Sequence, residues 1–499
     1  MSDDRKKEDL MIGLPTCNKN ITEEKKDNPI CRSFVRISEQ KIGPPENPNE
    51  IKMKASVTVG PISFSALRNV YGYIPYPQVK TKRITIAIID AYLYRTWDGS
   101  SSIAKSNAPK DFTAFAARNG FKAPTMMTPI ILGEMVKPVN FDSTISPYFV
   151  EAAFTTCGLD PYDDNVNPGW PLEEALDYQA VYGMTNNNSS TADGPNIILF
   201  HADSPSFADF GNAINAAIDM GASIISCSWG TAEFPGEASL DSIFNSAKAS
   251  KVCFVVSTGD DSYGSYPAFS PNVIAVGGTS LSLNGNTRVA EGAWGFLGPG
   301  GSGGGGVSGD SSGGTAYTPG LRPAMAVQEA VPNYQKGLGY KGRAIPDLSS
   351  YASTQPGVEI VLSQYVPPKV KATYLPQYYN VGGTSFSAPC IAALLAICNQ
   401  NRINVGKNIL TSVQVLTALY NLYNKNAANS YCQNCIYNVS KGTTYLNTAK
   451  STMTNTGVVT TWSYQPDNSA VPVITSKGYD LATGLGVPNT GLINYLSTL

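Results

Sequence analysis

Short apolar runs recur along the chain, separated by stretches whose apolar residues fall at helical spacing. Ile84-Thr-Ile-Ala-Ile-Ile-Asp90 is almost continuously apolar and ends in an acid, the pattern of a strand buried on both faces. Runs of the same kind lie at Asn196–Phe200, Ser223–Ser228, Val252–Ser257 and Asn272–Gly277. Between them, residues 111–118, 207–220 and 239–250 predict helices. Strands alternating with helices predict an α/β fold: a mainly parallel central sheet flanked by helices, with functional groups at the carboxyl ends of strands. A further apolar run, Cys390-Ile-Ala-Ala-Leu-Leu-Ala-Ile-Cys398, follows Gly382-Gly-Thr-Ser-Phe-Ser-Ala-Pro389. That stretch reads as a tight turn opening a buried helix, with Pro389 tolerated early because the first helical N–H groups need no partner.

The texture changes near residue 59. Residues 1–58 are charged, poor in large apolar side chains and contain Gly43-Pro-Pro-Glu-Asn-Pro-Asn49, which predicts an extension and linker ahead of one large domain over residues 59–499. Apolar residues make up 42% of the chain, enough for a sizeable core. A net charge of −2 gives no electrostatic case for nucleic acid or for an anionic membrane as partner. The run ending at Cys398 is far short of the roughly 20 residues that span a bilayer, and the charged N-terminus shows no secretory signal.

Nine cysteines, an odd number widely scattered, argue against a full disulfide framework. Cys17 and Cys31 are placed to close a loop in the extension. Cys432-Gln-Asn-Cys435 has no second pair and no nearby histidine, so it reads as a local disulfide or two thiols rather than zinc. Gly337-Leu-Gly-Tyr-Lys-Gly342 matches a dinucleotide fingerprint, yet no strand candidate precedes it and Pro346 stands where its helix should run. Gly298–Gly306 joins no strand to a helix and reads as a long loop. No organic cofactor is expected. The one histidine, His201, ends a strand candidate and reads as structural.

Three acids and a hydroxyl remain as candidates for chemistry. Ser385 stands where a helix begins, beside backbone donors and the positive end of the helix dipole, which favours an oxygen that must carry negative charge. The plain alternative is a helix cap. Gly169–Val181 reads as a helix with Pro171 in its first turn and Leu172, Ala175 and Leu176 inward. Glu173 and Asp177, four residues apart on it, share a face, either as a working pair or as a solvated acidic surface. Asp260, in Ser257-Thr-Gly-Asp260-Asp261, follows an apolar strand candidate. It is either a turn residue or a carboxyl that burial keeps protonated, as a donor, in mild acid.

In order and spacing, several segments resemble the sedolisin (serine-carboxyl peptidase) family, which includes the tripeptidyl peptidases and has a subtilisin-like fold. They are Glu173-x-x-Leu176-Asp177, Ser226-Cys-Ser-Trp-Gly230, Ser257-Thr-Gly-Asp260 with Tyr266–Thr279 behind it, Arg343–Ser349, Gly383–Pro389 and Gly478–Pro488. The likeness runs over roughly residues 60–499. It implies that Ser385 attacks a scissile carbonyl, Glu173 takes its proton, Asp177 orients Glu173 and protonated Asp260 donates to the oxyanion. Ser228 and Gly230 would bind the substrate backbone, and Asp90 and Trp229 would support the acids. The implied activity is hydrolysis of peptides or proteins in acid, by endopeptidase or tripeptidyl peptidase action. The alternative is an inactive relative with a structural or binding role. An ordinary subtilisin triad would need a His-Gly-Thr context that His201 lacks, and an amide where Asp260 stands. The family's calcium site is implied at Asp480, Asn438, Val439, Ser476 and Gly478, weakened because Asn438 replaces a carboxylate and Lys441 adds positive charge. Family members carry a folded prodomain longer than residues 1–58 and are secreted or lysosomal, so an acidic compartment, an extracellular site or a packaged particle is expected.

Overall fold

The computed structural model describes residues 30–33, 36–37 and 61–499, apart from 97–99, 134–136, 142–145, 162–168, 188–192, 296–301, 309–326, 355, 364–374, 427–433, 440–446, 455–456 and 465–477. Its centre is a ten-stranded sheet. The strands in chain order are β1 (Thr85–Ala91), β2 (Thr125–Met126), β3 (Ile130–Leu132), β4 (Tyr148–Phe154), β5 (Asn196–Ala202), β6 (Ile224–Cys227), β7 (Cys253–Ser257), β8 (Ile274–Asn284), β9 (Thr287–Ala293) and β10 (Leu348–Tyr351). Across the sheet the order is β9-β8-β7-β6-β1-β5-β4-β2, with β10 also pairing β8 and β3 also pairing β4. Every pairing is parallel except the β8–β9 hairpin.

Helices cover both faces. Four of them concern the site: α1 (Ala108–Arg118), α2 (Trp170–Thr185), α3 (Phe207–Asp219) and α4 (Thr384–Asn404). Alternation along β1 shows the layering. Ile86 and Ile88 join the core with Leu172, Leu176 and Phe386 of α2 and α4, whereas Ala87 and Ile89 join Phe207 and Phe210 of α3. Both faces of β1 and β5 are therefore dry, which is why these strands read as unbroken apolar runs. Every residue of α2, and nearly every residue of α4, is buried, so neither helix is amphipathic.

Two expectations fail locally. Residues 239–250 form no continuous helix but two 3₁₀ turns, Glu237–Asp241 and Ala249–Lys251, around the short helix Ser242–Asn245. Serines compete for the backbone there: the Ser239 hydroxyl donates to the Gly236 carbonyl, and the Ala249 N–H donates to Ser246 Oγ. Of the glycine-rich stretch, Ser302–Val307 is a strand paired with Asp261–Tyr263 and Ala344–Ile345 rather than a loop. The glycines serve close approach, since a Cβ on Gly305 would lie 1.8 Å from the Leu481 carbonyl oxygen.

Asp347 ties β8 and β10 to the rest of the core. Its Oδ1 accepts from Arg343 Nη1 at 2.8 Å and from the Tyr420 hydroxyl at 2.8 Å. Its Oδ2 accepts from Arg343 Nη2 at 2.6 Å and from the Ala275 N–H at 2.8 Å. Both partners of the ion pair are fully buried. Asp347→Ala strands an unpaired guanidinium and is expected to cost about 3–5 kcal/mol of folding stability, read as a shift of the denaturant midpoint.

Candidate active site

Four segments far apart in sequence meet at the carboxyl edge of β1, β5, β6 and β7. At the start of α4, Gly383 adopts φ 110°, which a Cβ-bearing residue would resist, and turns the strand Pro376–Gly382 into the helix. Ser385 follows two residues later, fully buried, and its Oγ has no hydrogen-bond partner among the described residues. Pro389 lies in the second turn, not the first. It lacks the N–H that would otherwise reach the Ser385 carbonyl four residues back. That carbonyl instead faces the Ser228 hydroxyl at 3.4 Å.

Asp260 lies three residues beyond the end of β7 and is 1% exposed. Its Oδ1 accepts from both the N–H and the hydroxyl of Thr384, each at 2.8 Å, while the Gly259 N–H donates to Thr384 Oγ1 at 3.1 Å. The acid is thereby pinned to the residue before Ser385. On α2, Glu173 and Asp177 are both fully buried, which removes the solvated-face alternative. Ser228 Oγ, just after β6, donates to Asp177 Oδ1 at 2.9 Å and so spans the gap between Asp177 and the Ser385 backbone. Trp229 stacks on Phe210 with ring centroids 3.8 Å apart, and its indole N–H donates to the Ile89 carbonyl at 2.7 Å, next to Asp90.

The electrostatics are dominated by desolvated carboxyls. Burial raises Asp90 well above the usual range, Glu173 and Glu174 push it further, and His201 alone pulls it back. Burial likewise raises Asp177, reinforced by Asp90 and Glu173 and opposed by the Ser228 hydrogen bond. His201 sits on β5 opposite Asp90 in register. Its Nδ1 is 2.6 Å from Glu174 Oε1 and its Nε2 3.2 Å from Glu151 Oε1. Burial would lower its pKa, but the two carboxylates win and push it up to about 10. Burial raises Glu174 to about 7 against the pull of His201. His201 is therefore a satisfied structural histidine. Its partners Glu151 and Glu174 escaped the sequence reading, although an acid inside the strand Tyr-Phe-Val-Glu-Ala-Ala-Phe154 was a legible sign that a cation lies opposite.

Of the residues expected at a calcium site, Asn438, Val439, Gly478 and Asp480 are among the described residues. The Asn438 amide nitrogen donates to the Gly478 carbonyl at 2.7 Å, and Asp480 Oδ1 accepts the N–H groups of Ala482 at 2.9 Å and Thr483 at 2.8 Å. Val439 is buried in the core beside them. Ser476 and Lys441, like Cys17 and Cys432, lie outside the described residues, and Cys31 is a buried thiol. Among the described residues no group of three or more His, Cys, Asp or Glu side chains is set to hold a metal, and no helix is long and apolar enough to cross a membrane.

Comparison with solved structures decides the fold. Pseudomonas sedolisin, a serine-carboxyl proteinase solved with pseudo-iodotyrostatin, superposes with a TM-score of 0.57 at 20% identity, covering 88% of this chain and 97% of that one. The chain has the subtilisin-like fold of that proteinase. The subtilase family model matches its residues 193–435. The chain is 27% identical over 328 residues to kumamolisin from a Bacillus species, covering 57% of this chain and 54% of kumamolisin. It is 26% identical over 159 residues to tripeptidyl-peptidase sed4 of Aspergillus fumigatus, covering 31% of this chain and 22% of that protein. The chain thus spans about half the length of the first relative and about a fifth of the second.

The raised carboxyls have a consequence for stability. A group that binds its proton more tightly when folded stabilises the fold in acid and loses that contribution as pH rises. For Glu174 the loss runs from its ordinary 4.5 to about 7, and for His201 from 6.5 to about 10. Asp90 and Asp177 act in the same direction from 3.8 upward. The thermal midpoint is expected to be highest in mild acid and to fall toward alkaline pH. Glu174→Gln should flatten the part of that fall between pH 4.5 and about 7.

Proposed function

We propose that the sedolisin-like chain is an acid-active serine-carboxyl peptidase that hydrolyses peptide bonds in peptide or protein substrates. The observation that carries this reading is the Ser228 hydroxyl, which stands between Asp177 and the backbone of Ser385. Asp177 is joined to that hydroxyl, and Asp260 is fastened to the residue before the nucleophile. In the proposed reaction Glu173, as carboxylate, takes the Ser385 proton while Oγ attacks the carbonyl carbon. Asp177 holds the electrostatics of Glu173, and Asp90 and Trp229 support the pair from the edge of the sheet. With Asp260 Oδ1 accepting twice from Thr384, the Asp260 proton belongs on Oδ2, where it can be donated to the developing oxyanion. Glu173 then returns its proton to the leaving amine, and water releases the acyl group by the reverse sequence. Imidazole takes no part, because both nitrogens of His201 are engaged by glutamates.

The chemistry needs a neutral carboxyl beside an ionised one, so it belongs in an acidic setting: an acidic compartment, the extracellular space or a packaged particle. Calcium enters the proposal only weakly. Among the described residues that the likeness assigns to the ion, Asp480 is the single carboxylate, and the Gly478 carbonyl already takes the Asn438 amide, so that donor set fits the ion poorly.

Peptide hydrolysis assayed near pH 4 is expected with the unaltered chain and to vanish with Ser385→Ala or Glu173→Gln. Asp260→Ala should lose a factor of about 10²–10³ in rate. Rates should decline toward neutrality. Inactivity of the unaltered chain would favour a structural or binding role instead. Adding calcium and then chelating it is expected to leave the thermal midpoint in place; a clear rise with calcium would restore the metal site.

A further inference from the structure

The one histidine of the chain stands among the acids that the reaction would use. Three neighbouring strands each send a titratable residue to the face of the sheet that α2 covers: Asp90 from β1, His201 from β5 and Glu151 from β4. Two positions earlier on the same strands, Ile88, Leu199 and Phe149 join the core with Leu172 and Leu176 of α2, which fixes that direction. His201 lies opposite Asp90 on one side and opposite Ala153, just past Glu151, on the other. It therefore separates Asp90 from Glu151. From above, α2 brings Glu173, Glu174 and Asp177, all fully buried. The ring nitrogens take Glu174 at 2.6 Å and Glu151 at 3.2 Å. Around this group, Asp160 faces Glu174 and accepts the Trp170 N–H at 3.0 Å. Burial keeps the thiol of Cys227, beside Asp90 and Asp177, and that of Cys157, near Glu174, protonated.

The proposed reaction asks for one ionised carboxylate, on Glu173, inside a dry group of carboxyls and in acid. Burial by itself favours the protonated form of every one of them. A fixed positive charge close by restores the ionised form, typically by 1–3 pH units for an opposite charge within about 4–6 Å. We propose that His201 is a positioning residue for this chemistry: its imidazolium, held by Glu151 and Glu174, is the fixed charge that keeps a carboxylate available among Asp90, Glu173 and Asp177 in acid. The inference rests on the peptidase reading and names the group that sets its acid limit. His201 exchanges no proton in the reaction. Its two glutamates hold it charged up to about 10, so its charge is constant through the acid range. Glu174 keeps its own proton below about 7, so in acid only Glu151 balances the imidazolium, from the side away from Asp90. The positive charge is thereby presented toward Asp90, which it pulls down against burial, Glu173 and Glu174. Asp90 in turn acts on Asp177, and Glu173 acts on both, so the influence of His201 reaches the catalytic pair through Asp90.

The test begins with the unaltered full chain. Since it has one histidine, labelling histidine with nitrogen-15 gives one assigned pair of ring signals by NMR. These should report a doubly protonated ring from about pH 4 to about pH 8. A neutral ring at about pH 5 would overturn the proposal, and this readout needs no folded variant. The second measurement is the pH profile of peptide hydrolysis. His201→Gln leaves a hydrogen-bonding side chain but removes the charge. The limb on which the rate rises out of acid should move up by roughly one pH unit, so that below it kcat drops on the order of tenfold while KM holds. Glu174→Gln disturbs the same contact from its other side yet removes no charge in acid, and should leave that limb in place. Equal movement in both variants, the result of lost packing, would overturn the proposal, as would movement in neither. Hydrolysis with an unmoved limb removes the role of His201 and leaves the peptidase reading standing. No hydrolysis by the unaltered chain at any pH removes the peptidase reading, and this role with it.

Discussion

Asp90, Glu151, Glu173, Glu174 and Asp177 are all kept from water between α2 and the carboxyl edge of the sheet, with the His201 imidazole as the cation among them. Burying one carboxylate is costly, and burying several within reach of one another is possible only if some stay protonated or share a positive charge. His201 supplies that charge to Glu151 and Glu174, and burial raises the carboxyls of Asp90 and Asp177. The raised carboxyls are thus a direct result of packing, not of any special local sequence. Two features follow from this dry acidic cluster: an ion pair inside the sheet, and a helix, α2, that carries acidic residues yet has no wet face.

The sheet is what allows the cluster to form. In a parallel arrangement every strand ends on the same edge, so Asp90, His201, Ser228 and Asp260 arrive together although they are spread over 171 positions. The helices then deliver the remaining groups from one side. Gly383 sets the entry of α4, and Pro389, by removing one helical donor, leaves the Ser385 carbonyl facing the Ser228 hydroxyl. Thr384 links the start of α4 to Asp260. Each device is small, and together they tie the start of α4 to Asp260 and, through Ser228, to Asp177.

The subtilisin-type plan ordinarily brings a catalytic imidazole to mind, and this chain has an imidazole in the vicinity. Its surroundings exclude the role. A base must be free to accept a proton near the working pH, whereas His201 is clamped between two glutamates that hold its pKa at about 10. The histidine is engaged instead in stabilising two buried acids.

The apolar runs at residues 84–90, 196–200 and 252–257 were sufficient to call for buried parallel strands, because two-sided burial leaves no polar alternation to confuse the reading. The run at Cys390–Cys398, with glycines and small hydroxyl residues before it, likewise announced a buried helix opening on Ser385. Serine-rich 239–250 misled because side chains that bond the backbone locally carry the same apolar spacing as a true helix. The candidates Ser385, Glu173, Asp177 and Asp260 were legible from segment order and spacing, but the Ser228 bridge between Asp177 and the Ser385 backbone was not, since distances across a sheet are set by strand order. Nor could the chain alone reveal the engagement of His201 by Glu151 and Glu174 or the turning of Asn438 onto Gly478. Those contacts join positions tens to hundreds of residues apart. Local propensity carries no record of such pairings, and only the packed tertiary structure decides them.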